Sequence, residues 1–339
     1  MRKTVLLNKK SKVKAQSGHR VFLILVWLLF IFAKPVVAQQ QNQGSSLSGT
    51  EQGKVGPIRI TVTDPYGRYV SGLNQDQITI LDEKMPQEIL GFEQGDEPFS
   101  LLLLFDVSKS MPANGLTAAR EEFLRFVETG NKSSNYAIVG FGKEASMLTE
   151  FTKEKDSVVD GLNKLATLKR SRSTAFYDAF SLAVEKIQAQ KNKNRIILII
   201  SDGEDNDSES RKNDLREKLK KTDVLVYAIV FSGPEPFGPG QLPFAEPDLT
   251  SSLSSLCSMT GGKAFYPRAS GGIGVLFEAL ALELKSQYSV TFRPSGLVKD
   301  GEWRRLKYKV RPFEFKKKPT SGVKKVTLYI RGPEGYYLR

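Results

Sequence analysis

Two uninterrupted apolar runs, Leu101 to Phe105 and Ile196 to Ile200, constrain this chain most. A strand with one wetted face alternates polar and apolar residues, so a run without alternation must be covered on both faces. A parallel sheet sandwiched by helices meets that need. The segments between the runs supply the helices. Leu116–Glu128, Ser157–Leu168 and Ala175–Gln188 carry apolar residues at helical spacing, Arg211–Lys221 reads as a charged helix, and Asp248–Thr260 and Gly274–Gln287 add two more. Tyr136–Phe141, Val224–Phe231 and Ala264–Tyr266 read as further strands, and Ser146–Phe151 as a hairpin partner of Tyr136–Phe141. Ser232–Pro247, with five prolines and three glycines, reads as a loop. Strands alternating with helices predict a doubly wound, mostly parallel α/β sheet with helices on both faces over residues 98–287.

The flanks change character. In residues 57–97, Ile58–Asp64, Ile78–Glu83 and Gln87–Glu93 alternate with period two. Residues 288–339 return to the same pattern at Tyr288–Phe292, Arg304–Val310 and Val326–Ile330. Neither set of strands buries a core alone. The two are therefore expected to pack together as a β-sandwich-like domain, with the α/β domain inserted between them. From Leu284 onward there are fifteen Lys or Arg and four Asp or Glu, the basic residues interleaved with apolar ones. This reads as a half-buried sheet with a solvated basic face.

The first 38 residues are set apart. Residues 1–20 carry seven Lys or Arg, Val21–Ala33 is wholly apolar, and Val36-Val37-Ala38 has small side chains. That is the layout of a signal peptide cleaved after Ala38. An export signal predicts a periplasmic or secreted protein, or a membrane-anchored one should the segment stay uncleaved. Residues 39–56, rich in Gln, Ser and Gly, read as a flexible linker. The formal charge of +13 owes much to the first segment. Without its eight basic residues, 42 Lys or Arg stand against 37 Asp or Glu, which argues against a nucleic-acid partner. The chain has one histidine, His19, and one cysteine, Cys257. After cleavage no histidine remains for a Ser-His-Asp mechanism or a histidine-ligated metal, and no internal disulfide can form. Oligomeric state leaves no sequence signature.

Each apolar run is followed at once by oxygen-bearing side chains. Asp106, Ser108 and Ser110 follow the first, Asp202 and Gly203 follow Ser201, and Thr174 stands at the start of a predicted helix. In a doubly wound sheet, ligands bind beyond the carboxyl ends of the strands where strand order reverses. Two carboxylates and three hydroxyls form an all-oxygen set suited to a hard divalent cation.

Asp-x-Ser-x-Ser, then Thr, then Asp-Gly resembles the metal-ion-dependent adhesion site of the von Willebrand factor type A family. The resemblance covers about 190 residues of α/β pattern. It implies that Ser108 and Ser110 bind Mg²⁺ directly, with Mn²⁺ or Ca²⁺ as alternatives. Thr174, Asp106 and Asp202 would bind directly or through water. It further implies recognition of an acidic residue on a protein partner, and binding rather than catalysis. The flanking strings ITVTDPYGRYVSGLNQDQITILDEKMPQEILGFE and IRGPEGYYLR resemble exported bacterial proteins called the VWFA-related Acidobacterial domain family.

Other readings compete. Each of the five residues alone fits an ordinary helix-entry cap. A haloacid-dehalogenase-like hydrolase needs an aspartate where Ser108 stands, and a serine nucleophile lacks a histidine base. A structural envelope protein with a vestigial metal site is a third. Asp178 reads as a helix first-turn acid, and Glu204, Asp205 and Asp207 as a solvated acidic loop rather than a calcium site. Lys109, Lys169, Arg170 and Arg172 crowd the expected site, either steering an acidic ligand or simply solvated.

Overall fold

Every residue of Phe99–Asp106 is buried, and the rest of the α/β layer is stacked on its two faces. The computed structural model describes residues 54–231, 252–267, 272–295, 301–316 and 323–337. The expected signal segment with its cleavage site, the linker up to Gly53 and the Pro-rich loop at 232–247 lie outside them.

The chain enters through β1 (Val55–Thr63), β2 (Ile78–Asp82), the short β3 (Met85–Pro86) and β4 (Glu88–Gln94). The α/β layer follows: β5 (Phe99–Asp106), α1 (Ala113–Thr129), β6 (Asn135–Phe141), β7 (Ala145–Thr152), α2 (Lys155–Thr167), α3 (Phe176–Gln188), β8 (Asn194–Ser201), α4 (Lys212–Lys220), β9 (Leu225–Val230), α5 (Ser252–Met259), β10 (Ala264–Phe265) and α6 (Ile273–Ser286). The chain closes with β11 (Tyr288–Arg293), β12 (Trp303–Val310), β13 (Phe313–Lys316), β14 (Val323–Val326), β15 (Tyr329–Arg331) and β16 (Gly335–Tyr337).

The six-stranded sheet has the order β10-β9-β8-β5-β6-β7, with β7 antiparallel to β6 and the other pairings parallel. Alternation along β5 sorts its side chains. Leu101, Leu103 and Phe105 enter a core that includes Phe123 of α1, Leu162 of α2 and Leu280 of α6. Leu102 and Leu104 enter the other, with Phe180 of α3, Leu215 of α4 and Leu256 of α5. Burying each such side chain contributes about 1.5–3 kcal/mol, which is why the middle stretches Leu101–Phe105 of β5 and Ile196–Ile200 of β8 carry no polar residue. Strand order reverses beside β5, since the chain proceeds from it to β6 on one side and fills β8, β9 and β10 on the other.

The flanking segments pack together as expected. One four-stranded antiparallel sheet runs β15-β1-β11-β4 and a second runs β16-β12-β2-β3, so both mix strands from the two ends of the chain. Ile60, Tyr288 and Phe292 of the first share a core with Ile80, Leu306 and Tyr336 of the second. A β13–β14 hairpin stands beside them. Arg305, Lys307 and Lys309 are exposed on β12, giving the solvated basic face. Arg304 departs from it: its Nε sits 2.9 Å from both carboxylate oxygens of the fully buried Asp82.

Two expected boundaries move. β1 begins at Val55, inside the span read as linker, because Gly56-Pro57 interrupts the alternation and the ladder is irregular between Val55 and Ile58. Val326–Ile330 is not one strand. Val326 ends the β13–β14 hairpin, and Tyr329–Arg331 pairs with β1 instead.

The α/β layer is fastened to the sandwich by a buried polar cluster. Glu283 of α6 is fully buried and accepts from Arg331 Nη2 at 2.6 Å, Tyr227 Oη at 2.8 Å and Tyr69 Oη at 3.0 Å. Arg331 also donates to the Gly261 carbonyl at 2.6 Å. Burial pushes the Glu283 carboxyl up, but the adjacent Arg331 guanidinium more than offsets this and holds it below the usual range.

Candidate functional site

Asp106 is the last residue of β5 and has no exposed surface. Its two oxygens are separately engaged. Oδ1 accepts the backbone N–H of Ser108 at 2.7 Å, which turns the chain sharply after the strand. Oδ2 accepts the hydroxyl of Ser201, the last residue of β8, at 2.7 Å. Ser201 Oγ in turn accepts the Gly203 N–H at 2.9 Å, so the ends of the two central strands are joined. Gly203 has φ of +79°, a conformation that favours glycine and lets the chain turn away directly after Asp202.

The five predicted site residues fall on three adjoining loops. Ser108 Oγ and Ser110 Oγ lie 3.0 Å apart, with Ser108 buried and Ser110 exposed. Asp202 is nearly buried, accepts the Glu204 N–H at 3.0 Å, and is close enough for its charge to act on Asp106. Thr174 is buried and precedes α3.

Thr174 is stitched to the Asp202 loop. Its backbone N–H donates to Asn206 Oδ1 at 2.8 Å, while its carbonyl accepts from the Asn206 N–H at 3.0 Å. The open N–H groups of α3 are capped by that same loop: Phe176 N–H donates to Asp205 Oδ1 at 2.8 Å and Tyr177 N–H to Ser208 Oγ at 3.0 Å. Such groups need partners, and here they come from a segment some thirty residues away in the chain. Asp178, in the first turn of α3, accepts the backbone N–H groups of Glu209 and Ser210 at 2.8 and 2.9 Å. Asp205 is thus a helix cap. Among the described residues, no group of three or more His, Cys, Asp or Glu side chains could hold a metal.

The cations divide. Arg170 is a clamp: its Nη2 donates to the Ser108 carbonyl at 2.7 Å and also reaches the Met111 carbonyl, with Nε 3.2 Å from the Ser108 carbonyl. Its guanidinium fixes the backbone that carries Ser108 and Ser110. The Lys109 N–H donates to the Ser171 carbonyl at 2.7 Å, and its side chain is exposed. Lys169 and Arg172 are exposed as well. A depression of about 390 Å³ opens beside this loop, lined in part by Val107, Lys143, Lys169 and Arg170.

Ser201, Arg170, Asn206 and Asp205 shape the site and were not singled out as such from sequence. Only Ser201, ending an apolar run, carried a local signal.

The electrostatics suit a cation. Burial pushes the Asp106 carboxyl above its usual range, and the charge of Asp202 pushes it the same way; the hydrogen bonds from Ser108 and Ser201 offset only part of this. A divalent ion held by these residues would supply the positive charge that relieves both effects. The neighbouring hydroxyls of Ser108, Ser110 and Thr174 are neutral oxygen donors, a set that fits Mg²⁺ or a similar hard ion.

A family model described as von Willebrand factor type A domain matches residues 100–276. Among curated proteins, an uncharacterized protein of Borreliella burgdorferi is 22% identical over 143 residues, 40% of this chain and 42% of that protein. The chain therefore spans less than half of that relative's length. Among solved structures, proximal thread matrix protein 1 from the mussel byssus, with a zinc-occupied MIDAS motif, is 17% identical with a TM-score of 0.48, over 61% of this chain and 50% of that one. A von Willebrand factor type A structure from Catenulispora acidiphila is 10% identical with a TM-score of 0.45, over 82% and 74%.

Proposed function

The chain belongs to the von Willebrand factor type A domain family, and from that premise we propose that it is an exported protein-binding module that captures a partner's acidic residue through a divalent cation. The observation that carries this reading is Asp106: a wholly buried carboxylate whose near charged neighbour is a second carboxylate, in a rim of hydroxyls. Asp106, Ser108, Ser110, Thr174 and Asp202 would hold the ion, with Mg²⁺ the best fit to their chemistry. When bound, the ion supplies an electron-poor site that a partner carboxylate completes. The chain's own residues set the conditions. Ser201 orients Asp106, Arg170 fixes the serine loop, and Asn206 ties Thr174 to the Asp202 loop. Lys143 and Lys169, around the adjoining depression, favour an acidic partner surface.

Binding fits better than catalysis, because the chain's one histidine, His19, lies in the N-terminal segment and leaves the serine hydroxyls of the site without an imidazole base. The basic and apolar N-terminal segment supports export, and the flanking strings support kinship with the Acidobacterial group of these proteins.

Calorimetry with Mg²⁺ on the purified protein tests the proposal. Saturable binding that disappears in an Asp106→Ala, Ser108→Ala variant is the expected result. A protein that shows no saturable Mg²⁺ binding would be a structural module with a vestigial site.

A further inference from the structure

The chain holds one Asn-Gly pair, Asn114-Gly115. It stands in the first turn of α1, four residues after Ser110 of the candidate ion site. Asparagine before glycine is the pairing in which a backbone nitrogen most readily attacks the preceding side-chain amide, because glycine has no Cβ to block the approach. Whether a folded chain permits the attack depends on what holds that nitrogen.

The helix does not hold it. The first helical bond of α1 runs from the Leu116 N–H to the Pro112 carbonyl at 3.0 Å. The equivalent bond from Gly115 would need the Met111 carbonyl, which lies before the proline cap and accepts from the Arg170 guanidinium. The Gly115 N–H donates instead to Asn114 Oδ1 at 3.0 Å. Asn114 Cγ, one C=O bond of about 1.23 Å from that oxygen, is thus brought close to the nitrogen. The fold also keeps the glycine in place: a Cβ at 115 would lie 2.5 Å from Phe231 Cε1 and 3.0 Å from Pro112 Cγ. Asn114 is exposed, so water reaches its amide. α1 begins only one residue earlier, at Ala113, and a terminal turn opens at little cost, which gives the backbone rotation that ring closure needs.

We propose that Asn114 is a self-modifying residue that deamidates through a cyclic imide. The Gly115 nitrogen bonds to Asn114 Cγ, the Cγ–Nδ2 bond breaks, and the proton from Gly115 leaves with the amide as ammonia. One water then opens the ring. Cleavage at Cγ leaves aspartate on an unchanged main chain. Cleavage at the Asn114 main-chain carbonyl leaves isoaspartate, with the chain running through Cγ. The sequence needs only water. Either product places a carboxylate in a helix turn that has no acid, where the open N–H groups favour negative charge. The isoaspartyl form also adds a methylene to the main chain just beyond the segment that Arg170 clamps, which changes the spacing between the serine loop and α1.

The test incubates the purified, folded protein at mildly alkaline pH, where the attacking nitrogen loses its proton more readily, and digests samples with trypsin at intervals. Cleavage after Lys109 and Arg120 isolates Ser110–Arg120, in which Asn114 is the sole asparagine. That peptide is expected to gain about one dalton and to split into two chromatographic species, one of them labelled by isoaspartyl methyltransferase. A synthetic peptide of the same sequence is the unfolded reference. The folded chain is expected to react within about tenfold of its rate, as a readily opened terminal turn should. Asn114→Gln, whose longer side chain closes a larger ring slowly, is expected to abolish the gain while melting as the unaltered protein does. A folded chain that stays unmodified while the synthetic peptide reacts, or an equal gain in Asn114→Gln, overturns the proposal.

Discussion

Asp106 and Glu283 are both carboxylates with no exposed surface, yet their surroundings push them in opposite directions. Glu283 has a guanidinium at 2.6 Å and two tyrosine hydroxyls, and its acidity is strengthened. Asp106 has hydroxyl and amide donors but a carboxylate for its near charge, and its acidity is weakened. A buried charge must be matched or it is costly. The chain matches Glu283 with its own Arg331, as it matches Asp82 with Arg304. Among the described residues no such cation acts on Asp106. The difference separates an acid that holds layers together from one that suits an external ion.

The largest effect is expected from breaking the matched acid. Glu283→Ala leaves Arg331 facing a gap and should lower unfolding free energy by about 3–5 kcal/mol in chemical denaturation. Glu283→Gln sharpens this through pH. The Glu283 carboxyl is held below its ordinary value of 4.5, so its stabilisation is complete above that pH and disappears as pH falls through the lower folded-state value. The loss caused by Glu283→Gln should therefore be full at neutral pH and shrink under acid. An acid-independent loss would mean that packing, not charge, matters at this position.

The unmatched acid should behave in reverse. Asp106→Asn is expected to leave the ion-free protein as stable or more stable, while abolishing the stabilisation by Mg²⁺ seen in thermal melts. That stabilisation should reach about 2.7 kcal/mol when Mg²⁺ is at 100 times its dissociation constant. Destabilisation of the ion-free protein by Asp106→Asn would remove the contrast between the two acids. A smaller change is predicted for Arg170→Ala. Releasing the Ser108 and Met111 carbonyls should weaken Mg²⁺ about tenfold in calorimetry, as loss of supporting groups around a metal usually does. Lys109→Ala should be the mildest, within about 0.5 kcal/mol in stability and without effect on Mg²⁺ affinity, since only its backbone is anchored.

The α/β layer was legible because local chemistry and tertiary environment agree there. An apolar run such as Leu101–Phe105 has few homes, and the structure buries every one of those side chains on two faces. The pairing of the terminal segments was legible for the opposite reason: neither set of strands could be stable alone. The site was readable as a row of oxygen donors and unreadable as a machine. Asn206 and Asp205 act on Thr174 and Phe176 across some thirty residues, and nothing in a one-dimensional pattern announces a cap supplied from that far away. Arg170 is a similar case. Counted as a charge it reads as a cation that steers a ligand or is simply solvated, whereas its hydrogen bonds go to main-chain carbonyls. The break after Val326 escaped notice because two different pairing partners, β13 and β1, claim neighbouring residues.

β5 has a mechanical meaning as well. It begins at Phe99, a few residues beyond β4 of the sandwich, and ends at Asp106. Parallel neighbours, β6 and β8, hold it along both edges for nearly its whole length. A pull on the Asp106 loop would travel straight down this strand, loading both hydrogen-bonded edges in shear rather than peeling them apart one bond at a time. At its far end the load would pass to the sandwich through Glu97 and Arg59. The residue at the centre of the proposed docking site is thus also the end of a strand that is loaded in shear along both edges.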